Sequence, residues 1–275
     1  VGLLTSAAGC LGSGERDTES DQDTREENLA GQSSLVEEIE FEGQDLVIQL
    51  VDGHGISKLN LLDPEGSLYA STLIATGETT VRLQILEIQQ GRSSHYTPGE
   101  HQLALVSDGS ISDTVAINLE PALEITGVQQ YRSGERDTDF GKIEVTVQNR
   151  GTGPTWVYDT AYQGSPNFAA NGELSESYDN NLFTNSTELA DLLVLPGESQ
   201  KYLPRGYPLQ FHSEGQQSCD FPSEKIHIIV GSADGEKIQA DTILRPDGDS
   251  RSVSYNGWYV CTTVAVDLTE AEING

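Results

Sequence analysis

The chain has 275 residues, with 44 Asp and Glu against 15 Lys and Arg, so its formal net charge is −29. This acidity argues against nucleic acid as a partner and against docking of the protein face on an anionic lipid surface, because both need a basic face. No stretch approaches the roughly 18–20 consecutive apolar residues of a membrane-spanning helix.

The first predicted element is a lipid anchor. Small residues stand directly before Cys10, after an apolar stub, in the opening VGLLTSAAGC. Ala7-Ala8-Gly9-Cys10 resembles the lipobox of secreted lipoproteins, in which the cysteine takes a diacylglyceryl thioether and becomes the mature N-terminus. The resemblance implies lipid attachment at Cys10 and makes residues 1–9 a remnant of a signal peptide. The alternative is a small-residue segment with an incidental thiol.

Residues 10–35 predict a disordered acidic linker after the anchor. Between residues 11 and 34 the chain has seven acids, two arginines and no aromatic or β-branched aliphatic residue. Such a segment cannot bury enough surface to offset the entropy of ordering. As a flexible coil of this length it spans roughly 25–30 Å and holds a globular body off the membrane.

Residues 36–120 predict a first β-sandwich. Apolar and polar residues alternate at period two in seven short runs, and turn residues such as Asp108-Gly109 separate them. The runs are Val36–Phe41, Asp45–Val51, Ser57–Leu62, Ser67–Leu73, Thr79–Ile88, His101–Val106 and Ile111–Leu119. Seven strands in about 85 residues suit an antiparallel sandwich of immunoglobulin type, although no Cys…Trp…Cys core is present.

Residues 121–275 predict a second sandwich, after a boundary at Glu120-Pro121. The long segment 163–193 interrupts it; this insertion is polar at first and then helical in pattern through Thr187–Leu193. Asn256-Gly257 is a strong hairpin signal. The predicted strands are Ala122–Tyr131, Lys142–Asn149, Thr155–Tyr162, Lys225–Gly231, Lys237–Leu244, Ser252–Tyr255 and Trp258–Val266. The fold class is therefore all-β, with two antiparallel immunoglobulin-like sandwiches in tandem.

A turn motif and a later element of the second unit carry a family resemblance. The matching residues are Val147, Asn149, Gly151, Thr152, Gly153, Leu195, Gly197 and Glu198. They resemble the "V-x-N-x-G-T-G" turn and the "L-x-P/A-G-E-S" element of the CARDB-like group of immunoglobulin-fold surface domains. The resemblance implies a fold rather than an activity, and the insertion departs from the group.

Cys219 and Cys261 remain once Cys10 is assigned to the anchor. A secreted protein with an even remainder indicates one disulfide, which would close a loop of 42 residues. The chain-entropy model gives such a bridge roughly 3–4 kcal/mol. The alternative is two free thiols, and no cysteine or histidine spacing indicates a metal site.

The sequence contains no recognisable catalytic motif, so we predict no enzyme, no cofactor and no metal. Of the five histidines, His95 and His101 are the two that could meet at one end of a sandwich. Oxygen ligands in Arg245–Asp249 and Tyr178–Asn181 lack the EF-hand spacing of a calcium loop. Asn185 begins a possible N-glycosylation sequon in the insertion.

Aromatic residues of the insertion are the candidate partner surface. Most aromatic residues of the second unit are expected to fill its core. Tyr178 and Phe183 are less easily assigned to the core, and exposed aromatic side chains in an inserted loop are typical of recognition surfaces.

The acidic, lysine-poor composition resembles that of proteins from salt-loving microbes; the alternative is an ordinary acidic secreted protein. Together these features predict a non-enzymatic lipoprotein on the extracellular face of the cell membrane. It would act as a binding or structural module with a protein or glycan partner. The alternatives are a virion spike or adhesin-like attachment protein of a halophile's virus or mobile element, and an extracellular hydrolase.

Overall fold

The structure is a computed structural model that describes residues 33–89, 93–132, 136–175, 183–184, 188–253 and 256–269. Within these ranges the regular structure is antiparallel β-sheet, with three short 3₁₀ helices and no α-helix. The predicted all-β class is therefore confirmed. Cys10 and almost all of the predicted linker lie outside the described residues, as do Tyr178 and Asn185.

Residues 36–119 form two sheets, here called the first sheet pair. Its strands are β1 (Val36–Glu42), β2 (Asp45–Leu50), β3 (Lys58–Leu62), β4 (Leu68–Leu73), β5 (Thr80–Gln84), β6 (Gly99–Ser107) and β7 (Ser110–Leu119). One sheet has the order β1-β2-β5 and the other β4-β3-β6-β7. Every run predicted by alternation is a strand, because alternate side chains such as Leu59, Leu61 and Leu103 are fully buried between the sheets.

Residues 123–268 form a second sheet pair. Its strands are β8 (Leu123–Gln130), β9 (Ile143–Asn149), β10 (Thr155–Gln163), β11 (Leu193–Val194), β12 (Ser199–Tyr202), β13 (Gln210–His212), β14 (Glu224–Ser232), β15 (Lys237–Ser252) and β16 (Trp258–Leu268). The orders are β12-β9-β8 and β11-β10-β14-β15-β16-β13. In the described part of the chain, no strand of the first pair joins a sheet of the second.

Two local expectations are wrong. The predicted helix is only a one-turn 3₁₀ helix, Leu189–Leu192, which a capping box between Glu188 and Asp191 begins. The predicted separate strand at Ser252 is the end of β15, which stays continuous through a bulge between Asp247 and Ser250. Gly248 at φ +74° supplies the backbone conformation that the bulge requires.

The turn motif that carries the family resemblance has a structural role at Asn149. This side chain is fully buried, and its Nδ2 donates to the carbonyl oxygens of Gly153 (2.8 Å) and Val194 (3.0 Å). Its Oδ1 accepts from the backbone N–H groups of Ala122 (3.1 Å) and Gly151 (2.9 Å). One amide thereby fixes the start of the second sheet pair and the turn after β9.

The same turn joins the two sheet pairs. A Cβ on Gly151 would overlap the backbone of Glu120, and a Cβ on Gly153 would overlap the Tyr96 hydroxyl. That hydroxyl donates to the Pro154 carbonyl oxygen at 2.7 Å. The glycines are therefore required by close approach between the pairs.

Cys219 and Cys261 form the predicted disulfide, with their Cα atoms 5.8 Å apart. Both cysteines are buried. The bond attaches the segment before β14 to the middle of β16, inside the second sheet pair.

Gln130 connects the two sheets of the second pair. β13 covers β16 only at residues 258–260. Just beyond it, the buried Gln130 side chain donates to the Cys261 carbonyl oxygen (2.8 Å) and accepts from the Val264 N–H (2.8 Å). A side chain thus supplies hydrogen bonds to β16 where its neighbouring strand has ended.

Candidate functional site

Of the two residues predicted as a partner surface, Tyr178 and Phe183, only Phe183 lies in the described residues. Phe183 is only 2% exposed and packs on Tyr202, with ring centroids 5.1 Å apart. The prediction of Phe183 as a surface contact is therefore corrected, because its ring lies in the core. Phe168, in the same insertion, is 75% exposed.

Phe168 lies at one end of a row of three rings, which we call the aromatic row. Its ring centroid is 5.9 Å from that of Trp258, and Trp258 is 5.1 Å from His212. Trp258 is half-buried and His212 is exposed. The row therefore places three ring systems side by side at the surface.

Buried hydrogen bonds hold Phe168 in position. The Asn167 side chain is buried, and its Nδ2 donates to the Tyr207 carbonyl oxygen at 3.1 Å. Its Oδ1 accepts from the Ala169 N–H at 3.1 Å and begins the 3₁₀ helix Phe168–Ala170. The buried Ser165 hydroxyl donates to the Pro208 carbonyl oxygen at 2.9 Å. The exposed ring is therefore mounted on a satisfied polar network rather than on a loose loop.

Trp258 and His212 are a directly opposite pair on β16 and β13. The His212 Nε2 donates to the Asn256 carbonyl oxygen at 3.0 Å, which orients the imidazole. Gly257, at φ +80°, brings the hairpin backbone so close to Ser213 that a Cβ would overlap its carbonyl oxygen. The predicted Asn256-Gly257 turn therefore sets the distance between these two rings.

The sequence contains a weak signal for Phe168 that the prediction did not use. Ser165-Pro-Asn167 precedes it, and Ser and Asn are residues that bond to nearby backbone and begin helical turns. The partners of the Asn167 Nδ2 lie 40 and more residues later in the chain. Local pattern alone does not reveal them.

His95 and His101 lie close together but form no ligand site. The Tyr96 ring stands between them, with centroids 4.3 Å from His95 and 5.7 Å from His101. Burial lowers the pKa of both histidines. His95 lies 3.1 Å from the Thr155 hydroxyl and so contributes to the junction of the sheet pairs.

The described residues contain no group of three or more His, Cys, Asp or Glu that could hold a metal ion. In Arg245–Asp249, Arg245 is paired with Asp267, and the Asp247 carboxylate accepts from the Gly248 N–H at 2.7 Å. The loop Tyr178–Asn181 lies outside the described residues. No helix in the described ranges has the length and hydrophobicity needed to span a bilayer.

No known protein family matches this sequence, and no curated protein matches it. Among solved structures, a β-glucuronidase from glycoside hydrolase family 2 is similar at 12% identity and a TM-score of 0.24, over 80% of this chain and 20% of its own. A family 2 glycosyl hydrolase from Bacteroides cellulosilyticus DSM 14838 is similar at 10% identity and a TM-score of 0.20, over 73% of this chain and 24% of its own.

A β-glycosidase from Bacteroides vulgatus is similar at 10% identity and a TM-score of 0.19. The match extends over 72% of this chain and 22% of the β-glycosidase. The chain thus spans about a quarter or less of each of these structures. TM-scores this low support neither a shared fold nor a shared function.

Proposed function

We propose that this chain is a non-catalytic binding module that recognises an uncharged glycan through the aromatic row. The observation that carries the proposal is the 75% exposure of Phe168 on a rigid, hydrogen-bonded support beside Trp258. Exposing a large aromatic ring is unfavourable in water, and preorganised aromatic side chains are typical contact residues of binding sites.

The size of the row favours a small repeating ligand over a protein. Aromatic side chains bury about 150–250 Å² each, so three rings offer roughly 750 Å² at most, and less when partly exposed. A stable protein interface takes about 800 Å² from each partner. Ring faces instead match the flat C–H faces of sugar rings, and hydroxyl groups of a sugar can bond to the polar hairpin beside His212.

The charge of the chain favours a neutral glycan. With a net charge of −29, the protein repels uronic acid, sulfated and phosphorylated polymers unless salt screens the field. A neutral glycan is not repelled in this way, because it carries no charge. Selectivity for uncharged sugars would thus follow from the whole surface rather than from one residue.

The test is titration calorimetry with soluble neutral oligosaccharides of glucose, mannose and galactose in molar KCl, beside uronic acid oligomers as the charged comparison. We expect binding of at least one neutral series and loss of about tenfold or more in affinity for Phe168→Ala and for Trp258→Ala. Leu268→Ala is the matched control, because it removes an exposed apolar side chain at the far end of β16, outside the aromatic row.

Three results would overturn the proposal. If no neutral oligosaccharide series binds, the ligand is not a neutral glycan. A protein that cross-links at Phe168 would then show that the aromatic row binds a protein partner. If Phe168→Ala binds with the same affinity as the wild type, the aromatic row is not the binding site. Release of shortened sugars would contradict the non-catalytic role and favour the hydrolase alternative.

We further propose that Cys10 anchors the module to the outer membrane face and that the acidic surface adapts it to high salt. Intact mass spectrometry of membrane-extracted protein should show cleavage before Cys10 and an acyl mass on it; an unmodified Cys10 behind residues 1–9 would refute the anchor. The melting temperature should rise from dilute buffer to molar KCl, because salt screens carboxylate repulsion. Equal or greater stability in dilute buffer would refute the adaptation.

A further inference from the structure

The outer face of the four-stranded sheet β4-β3-β6-β7 differs from the rest of the surface. Its register aligns side chains into three rows across all four strands. The rows are Leu73–Lys58–Val106–Ile111, Ser71–Asn60–Ala104–Thr114 and Leu68–Leu62–Gln102–Ala116. We call these twelve residues the neutral face, because they include one lysine and no acid.

Apolar exposure is concentrated on the neutral face. The described residues expose five large hydrophobic side chains, and three of them lie here: Leu73 at 78%, Ile111 at 61% and Leu68 at 57%. Soluble proteins keep contiguous apolar patches small unless another molecule covers them. Three exposed side chains on one open sheet therefore indicate an interaction surface.

The opposite side of the same sheet pair shows what an uncovered face looks like in this protein. On β1, Glu38, Glu40 and Glu42 are exposed, and Arg82 of β5 pairs with Glu42. That face is strongly charged and suited to solvent. The contrast lies within one sheet pair, so it does not reflect the overall composition.

We propose that the neutral face is the contact surface of a two-fold symmetric dimer of this chain. Two copies that each carry a net charge of −29 can approach closely only where neither presents carboxylates. A two-fold axis parallel to the strands lays β4 of each copy over β7 of the other. The exposed leucine at 73 then meets the isoleucine at 111, and each lysine at 58 lies over the valine at 106 of the other copy.

The available area sets the strength of this dimer. Four strands about 4.8 Å apart and about six residues of about 3.3 Å give a face of roughly 19 by 20 Å. Both copies together then bury about 760 Å² of sheet area, which is below the roughly 1,200–2,000 Å² of standard specific interfaces and in the range of weak, transient contacts. The dimer is therefore weak and reversible, and it strengthens as salt shortens the range of charge repulsion.

The test is sedimentation equilibrium of the full chain in dilute buffer and in molar KCl. We expect a monomer in dilute buffer and a monomer–dimer equilibrium in molar KCl. Leu73→Glu combined with Ile111→Glu should weaken the association by at least about a hundredfold, because it sets like charges against each other. Both side chains are exposed, so the thermal melt should stay close to that of the wild type.

Leu268→Glu is the matched control, with the same change of residue at an exposed position on β16. It should dimerise like the wild type. A wild type that stays monomeric in molar KCl up to about 100 µM would overturn the proposal. The neutral face would then be assigned to contact with a different protein. Dimerisation that survives the double substitution, or that Leu268→Glu abolishes equally, would also overturn it.

Discussion

The first sheet pair has an almost wholly aliphatic core, in which Tyr96 is the one large fully buried aromatic side chain among the described residues. The core of the second sheet pair contains the aromatic side chains of Trp156, Tyr202 and Phe183, and it also contains buried amides such as that of Asn149. An aliphatic core tolerates small shifts, because hydrophobic contact has no direction. A core with buried amides fails when one donor or acceptor loses its partner. The candidate binding surface is mounted on the second kind of core.

The largest effect in this comparison is expected for Asn149→Ala. It removes four hydrogen bonds and leaves buried backbone groups unpaired, so the free energy of unfolding should fall by about 3–5 kcal/mol. Urea denaturation measures it. Asn118→Ala, an exposed asparagine of the first pair, should change the value by less than about 0.5 kcal/mol. Equal effects of the two would contradict the difference between the pairs.

Loss of the disulfide should rank next. Replacement of Cys219 and Cys261 by Ser frees a loop of 42 residues and should cost roughly 3–4 kcal/mol. Because the bridge lies wholly in the second sheet pair, hydrogen exchange should accelerate most in β14 and β16 and least in β3 and β6. Uniform acceleration would show instead that the two pairs unfold as one unit.

Two phenylalanines of the insertion provide a matched pair. Phe183→Ala should lower the free energy of unfolding by about 3 kcal/mol, because it opens a cavity against Tyr202. Phe168→Ala should leave stability within about 0.5 kcal/mol of the wild type, because its ring is exposed. Thermal denaturation distinguishes them, and a large loss from Phe168→Ala would mean that its ring supports the fold.

The smallest effect is a pH dependence at the junction. Burial lowers the pKa of His95 and of His101, so the folded protein protonates these side chains at a lower pH than the unfolded chain does. The unfolded chain takes up their protons as the pH falls through about 6.5, so it then binds more protons than the folded state. Stability should therefore fall between about pH 6.5 and pH 5. His95→Gln should flatten that slope, and an unchanged slope would contradict the assignment.

Much of the fold was predictable because its signals are local. Period-two alternation located every strand of the first sheet pair, and Asp108-Gly109 marked a hairpin that forms between β6 and β7. Cysteine counting predicted the bridge. The turn motif contains Asn149, Gly151 and Gly153, so its local pattern already includes the residues that make these contacts.

The candidate site was not predictable in the same way. β11 and β13 have two and three residues, too few for any period to show. The orientation of the insertion depends on Asn167 and Ser165, whose partners lie near residues 207–210. The sequence pattern predicts an exposed aromatic residue in the insertion, but only these distant contacts show that, between the described Phe168 and Phe183, the exposed one is Phe168.

The amide of Gln130 has a consequence for colloidal behaviour. An open strand edge can pair with the backbone of a neighbouring chain, and this is a common route to aggregation and fibrils. Many proteins guard such edges with charge, a protection that molar salt weakens. Here the neutral Gln130 side chain hydrogen-bonds directly to the Cys261 carbonyl oxygen and to the Val264 N–H. These two backbone groups of β16 are thereby protected by a neutral hydrogen-bonding partner, a protection that does not rely on charge.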